Sequence, residues 1–144
     1  MPLFYADASA LVKLVRAEPE SPALRAFIRG ADLASCDLVL TEMPRAIRRA
    51  VAADPRLDLE ALVGRAGEVI ETLALVPLDR SLLLAAGALA EPSLRALDAI
   101  HVAAAISLTP IDGFLGYDER QGAVARLAGL RTFAPGASAA AGPG

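Results

Sequence analysis

At 144 residues the chain is long enough for one compact domain with a sizeable core, and its 55% hydrophobic content lies in short amphipathic segments, none long enough to span a membrane. A single cysteine and a single histidine exclude an internal disulfide and a Cys/His zinc site, so any metal must be held by oxygen. A net charge of -3 and the absence of Trp argue against a protein that coats nucleic acid or stacks its bases. They do not exclude a nuclease, because carboxylates gathered at a metal site count as negative until a cation binds. The opening residues lack the basic, apolar and small-residue succession of a secretory signal, and a cytoplasmic protein is expected.

In chain order, "LFYA" (3–6) predicts a first strand, apolar enough to be covered on both faces. Ser9 to Val15 has helical spacing of Leu11, Val12, Leu14 and Val15. A second helix over 21–30 opens with Ser21 and Pro22 and closes at Gly30. "DLASC" (32–36) predicts a short strand, and 37–53 a helix in which Pro44 lies early or makes a kink. A long amphipathic helix over 58–71 precedes a strand within "LALVPL", and Asp79 caps a helix over 79–90. Arg95 to Leu108 is a further helix; a strand within "DGFLGYD" (112–118), a helix from Glu119 to Leu127 and a last strand at "LRTF" follow. This alternation predicts an α/β domain with a largely parallel sheet over residues 1–134. Residues 135–144, all small residues and breakers, predict a disordered tail.

Four acids stand out. Asp7 ends the first strand, at the sheet edge where open α/β folds bind ligands, although Asp is also among the best helix N-caps. Glu42 in "LVLTEMPRA" and Asp98 in "LRALDAIHVAAA" are set among apolar residues of predicted helices, where an unpartnered carboxylate is costly. Asp118 in "FLGYDER" repeats the arrangement of Asp7, again with a cap as its plain alternative. Such acids repel one another as bare anions, but together they suit Mg²⁺ or Mn²⁺, which prefer oxygen ligands. Two such ions can activate a water and stabilise the leaving oxygen in phosphodiester cleavage.

In order and spacing these segments resemble a PIN domain, and specifically the VapC ribonuclease toxins of type II toxin–antitoxin modules, from about Leu3 to Phe133. "YADASALVKL" is similar to the family's opening strand with Asp7 and Ser9, "LTEMPRAI" to the second-acid helix with Glu42, "RALDAIHVAAA" to the third-acid helix with Asp98, and "FLGYDERQ" to the last acidic segment with Asp118. The resemblance implies a three-layer α/β/α sandwich and a Mg²⁺- or Mn²⁺-dependent endoribonuclease acting on structured RNA, usually tRNA or rRNA. It also implies a homodimer inhibited by a cognate VapB-type antitoxin. One departure is Gly116, where the family often has Thr or Ser two residues before the last acid; Asp112 is a weaker substitute for Asp118.

On this reading Asp7, Glu42 and Asp98 are the core metal ligands and catalytic residues, direct or through water, and Asp118 is a weaker or second-metal ligand. Ser9 is placed to hydrogen-bond a carboxylate or to start the helix. His101, one turn from Asp98, is expected to be structural. Lys13, Arg16, Arg45, Arg48 and Arg49 are candidates for phosphate contact, or else a solvated face. The alternative is a catalytically weakened PIN fold that acts mainly as a protein-binding partner, suggested by the missing hydroxyl at Gly116. A haloacid-dehalogenase-like phosphatase needs a second acid where Ser9 stands. A receiver domain needs adjacent acids around Asp7 and a late Lys, and has neither.

Overall fold

The computed structural model describes residues 1–138. Among them β1 (Leu3–Ala6) leads into α1 (Ala8–Val15), α2 (Ser21–Phe27) and β2 (Asp32–Cys36). Then come α3 (Val39–Ala53), α4 (Leu59–Glu71) and β3 (Ala74–Val76), followed by α5 (Arg80–Gly87), α6 (Ala96–Ser107), β4 (Gly113–Leu115), α7 (Glu119–Leu127) and β5 (Thr132–Phe133). The strands form one parallel sheet in the order β3-β2-β1-β4-β5.

Because side chains alternate along a strand, the sheet feeds two cores. Tyr5, Ala34, Cys36 and Phe114 face one side, where they meet Leu82 of α5, Val102 of α6 and Val124 of α7. Phe4, Ala6, Leu33 and Leu115 face the other, against Leu11 of α1, Leu24 of α2 and Ile47 of α3. This is the three-layer α/β/α arrangement expected from the short apolar strands, which have no solvent face to mark with polar residues.

Element ends differ from the sequence reading by a few residues. The second helix stops at Phe27 and its last turn closes through Gly30, whose φ of 76° is left-handed. The third begins at Val39 and carries Pro44 without ending. Pro44 forgoes only the bond to the Leu40 carbonyl, on a turn where Leu40 itself is exposed. Residues 139–144 of the expected tail lie outside the described residues. Nearer the domain, the Tyr117 hydroxyl donates to the Pro135 carbonyl at 2.9 Å, and Ala137 N–H to the Ala134 carbonyl at 3.0 Å.

From central β1 the chain runs out to β2 and β3 on one side and to β4 and β5 on the other. The order reverses between β1 and β4, and the crevice outside their carboxyl ends is the position at which such sheets bind ligands. Asp7 and Gly116 immediately follow those two ends.

Candidate active site

Asp7 serves both as a helix cap and as a buried acid. Its Oδ1 accepts from the Ala10 N–H at 3.0 Å and from the Ser9 hydroxyl at 2.8 Å, so α1 begins on it. The residue is only 6% exposed. Burial raises its pKa above the usual carboxylate value, the Ala10 hydrogen bond opposes that rise, and the nearby Asp98 charge adds to it. The cap satisfies one oxygen and leaves Oδ2 without a hydrogen-bond partner among the described residues. That oxygen borders the space over Gly116, where a Cβ would lie 3.5 Å from it.

Glu42 projects from α3 and is met by His101 of α6, with Nε2 2.6 Å from Oε1. On its other side the His101 ring lies with Nδ1 2.7 Å from the Tyr5 hydroxyl and 3.8 Å from Cys36 Sγ. His101 is 2% exposed. Burial works against a charged ring, but hydrogen bonds to Cys36 and Glu42 outweigh it, and the His101 pKa is raised to about 10. As imidazolium it donates from both nitrogens, to the Glu42 carboxylate and to the Tyr5 oxygen. Burial keeps the Tyr5 phenol neutral. His101 thus orients Glu42 rather than Asp98, its neighbour on the helix.

Asp98 lies in the first turn of α6 and is half-buried. Desolvation raises its pKa, and the charges of Asp118 and Glu42 raise it further against the opposing pull of His101. Asp118 is exposed and caps α7, accepting from Arg120 N–H at 2.9 Å and Gln121 N–H at 3.2 Å. Asp112 stands at the opposite end of β4, where its Oδ2 accepts from the Leu3 N–H at 2.8 Å, and it takes no part in the cluster.

A cleft of about 460 Å³ has Asp7, Glu42 and Asp98 on its walls, with Ser9, His101, Arg45 and Arg49. Asp118 borders a neighbouring cleft that shares Asp98. Of the other basic residues, Lys13 is committed elsewhere: it is buried, paired with Glu20 at 3.2 Å and Glu18 at 3.4 Å, and set over the Tyr117 ring. Arg16 shares a second cleft with Arg49.

Among the described residues, no three His, Cys, Asp or Glu side chains close on one point tightly enough to enclose a metal ion. The donors nevertheless fit a hard, hydrated cation: all are oxygens, one carboxylate oxygen of Asp7 is unpartnered, and Mg²⁺ takes only one or two carboxylates and keeps several waters. Asp7, Glu42 and Asp98 are the residues that would hold it.

Gln121, in the first turn of α7, also belongs to this corner and was not singled out in the sequence. It is fully buried. Its Nε2 donates to the Asp98 carbonyl at 3.4 Å, whereas its Oε1 has no hydrogen-bond partner among the described residues. The sequence signal was a polar residue on the side of α7 that also carries Val124 and Ala125 into the core. For the Tyr5–His101–Glu42 chain the signal was a lone His and a lone Tyr inside apolar runs, each needing a partner when buried.

A family model described as PIN domain matches residues 4–127. Ribonuclease VapC46 of Mycobacterium tuberculosis (strain ATCC 25618 / H37Rv) is 36% identical over 140 residues, covering 94% of this chain and 99% of the relative. Ribonuclease VapC47 of Mycobacterium tuberculosis (strain CDC 1551 / Oshkosh) is 32% identical over 141 residues, with 94% and 98% covered. Ribonuclease VapC35 of the same strain is 34% identical over 138 residues, with 93% and 98% covered. A parallel sheet with its acids at the switch between β1 and β4, matched along nearly its whole length by these relatives, places the chain in the PIN-domain family, within its VapC group.

Proposed function

We propose that this chain is a Mg²⁺- or Mn²⁺-dependent endoribonuclease toxin that hydrolyses phosphodiester bonds in structured RNA, either tRNA or rRNA. The observation that carries the reading is the meeting of Asp7, Glu42 and Asp98, from three separate elements, on the walls of one cleft that also presents Arg45 and Arg49. Asp7, Glu42 and Asp98 hold the cation directly or through water, and Asp118 serves as a weaker or second-metal ligand. A divalent cation held there would supply a bound water of lowered pKa and neutralise charge on the leaving oxygen.

The protein's own residues do the rest. His101 orients Glu42 towards the cleft, and Ser9 and the Ala10 N–H fix one oxygen of Asp7 so that the other faces Gly116. Arg45 and Arg49, one turn apart on α3, bind substrate phosphates at the cleft wall. The nucleophile is water, since no side chain in the cleft is a convincing one.

The same arginines offer an acidic segment of a VapB-type antitoxin a place to block the cleft. A homodimer would cover apolar surface such as Leu83 and Leu84 of α5, which are exposed. No helix among the described residues is long and apolar enough to cross a membrane, in keeping with action in the cytoplasm. The deciding experiment is cleavage of total tRNA and rRNA by the purified protein with Mg²⁺, Mn²⁺ or EDTA, beside Asp98→Asn. Cation-dependent cutting that disappears in the variant supports the nuclease and the site together. Cutting that survives the substitution removes Asp98 from the mechanism, and a folded, Mn²⁺-binding protein that cuts neither RNA class favours the protein-binding alternative.

A further inference from the structure

The Gln121 side chain is held at one end and open at the other. Its backbone N–H donates to Asp118, and its Nε2 donates to the Asp98 carbonyl, so the amide cannot be turned round without setting two acceptor oxygens against each other. The remaining atom, Oε1, is buried and has no donor among the described residues. A buried acceptor left in that state is costly, and native proteins answer it with an ordered water or ion.

The position of this oxygen indicates what answers it. A Cβ built on Gly116 would stand 3.4 Å from Gln121 Oε1 and 3.5 Å from Asp7 Oδ2, so both oxygens border the same small space. That Cβ would also meet the Phe114 ring at 2.9 Å, and Phe114 is 1% exposed and stacked on Tyr5. Glycine at 116 therefore spares the Phe114 ring a clash and puts no side chain beside the two oxygens. Two acceptors cannot satisfy each other; the occupant must supply hydrogens to both or be a cation's hydration shell.

We infer that Gln121 is a positioning residue of the metal site, its Oε1 accepting a hydrogen bond from a water of the hydrated cation that is also held by Asp7 Oδ2. This rests on the cation reading above and adds to it an oxygen that acts through a water of the cation, from a residue that carries no charge. It also answers the departure at Gly116: the polar oxygen that a hydroxyl would bring to this segment comes from α7 instead. An amide oxygen adds no negative charge to a site that already holds the carboxylates of Asp7 and Asp98.

The test uses the full chain and Mn²⁺ itself as the probe, with free Mn²⁺ read by electron paramagnetic resonance and thermal melting followed in EDTA. In Gln121→Leu, Mn²⁺ affinity is expected to fall about tenfold or more, the usual scale for losing a residue that supports a metal site from outside its direct ligands. Its melting in EDTA should be unchanged or higher, since an apolar side chain removes the orphaned oxygen. Gln121→Glu keeps an acceptor there and is expected to bind Mn²⁺ at least as tightly as the parent while melting lower in EDTA. A folded Gln121→Leu that binds Mn²⁺ within twofold of the parent overturns the inference. Should that variant not fold, Gln121→Met, close in volume to Gln and without its amide oxygen, decides by the same criterion: binding within twofold of the parent overturns the inference, and a fall of about tenfold sustains it. Failure of the cation reading looks different, because then the parent protein and Asp7→Asn alike show no Mn²⁺ binding, and the role of Gln121 falls with it.

Discussion

His101 Nε2 stands 2.6 Å from Glu42 Oε1, joining α6 to α3 across 59 residues of sequence. Together with the Tyr5 hydroxyl at 2.7 Å from Nδ1, it makes a polar chain that runs from the central strand to the cleft. At 2.6 Å the carboxylate is a stronger partner for the ring than the Cys36 thiol at 3.8 Å.

Removing the imidazole should therefore be expensive. His101→Ala leaves Glu42 and Tyr5 without their partner and is expected to destabilise the fold by about 3 kcal/mol, the scale for breaking a buried charged pair. Urea unfolding in EDTA measures it, and a loss of only a few tenths of a kcal/mol, typical of an unremarkable surface substitution, would remove the pair from the list of contacts that hold α6 on α3. The ring also carries a pH signature. Its folded pKa of about 10 exceeds the ordinary 6.5, so its stabilisation is complete below 6.5 and is lost as pH rises through about 10. Glu42→Gln should flatten that decline.

Asp7 carries an avoidable charge when no cation is present. Its folded pKa is raised, so the folded state keeps the proton to higher pH than the unfolded chain. Its contribution is most favourable below 3.8 and declines as pH rises through the folded value. Asp7→Asn retains an oxygen for Ser9 and Ala10 and is as good a cap. In EDTA at pH 7 it is expected to melt higher than the parent by a few degrees per kcal/mol relieved, while RNA cleavage is abolished. Calorimetry with and without Mn²⁺ checks the first half, and a lower melting temperature in EDTA would mean that the Asp7 charge stabilises the folded state.

For Asp118 the cap and the ligand roles separate by substitution. Asp118→Asn keeps an acceptor for the Arg120 and Gln121 N–H groups, so melting should hardly move, whereas Asp118→Ala should lose about 1 kcal/mol of stability. If Asp118 also holds a second cation, both variants weaken cleavage. Full cleavage by Asp118→Asn would leave this residue as a cap alone.

Arg45 and Arg49 are exposed on the wall of the acidic cleft, and their contribution to RNA binding should be electrostatic. In an Asp98→Asn background, which on the proposed function prevents cutting, each Arg→Ala change is expected to weaken RNA binding and to lower the slope of log affinity against log salt by about 0.7 to 1. Filter binding at several salt concentrations reads both effects. An unchanged slope would assign these arginines to the solvated surface.

Much of the fold was legible in the chain because it depends on local patterning. Apolar strands too short to have a solvent face, amphipathic helices between them and caps at Asp7, Asp79 and Asp118 are all written within windows of ten to fifteen residues, and the helix and strand ends moved by only a few positions. The acids could be named for a similar reason: Glu42 and Asp98 interrupt apolar helical faces, and an unpartnered carboxylate there is costly enough to call for an explanation.

What each acid touches depends on residues far apart in the chain, and there the tertiary structure alone decided. Local spacing set His101 beside Asp98, but the packing of α6 across β2 and towards α3 turned it to Glu42. Lys13, read as a possible phosphate contact, is held by Glu18 and Glu20 over Tyr117. Gln121 and Gly116 gave no signal as a pair, because a buried oxygen without a donor becomes visible only when the space around it is known. Local free energies of strand, helix and cap formation are properties of short segments and can be read in order; hydrogen-bond satisfaction and charge repulsion depend on which surfaces the fold brings within a few ångströms, and that is settled only when both cores close on the sheet.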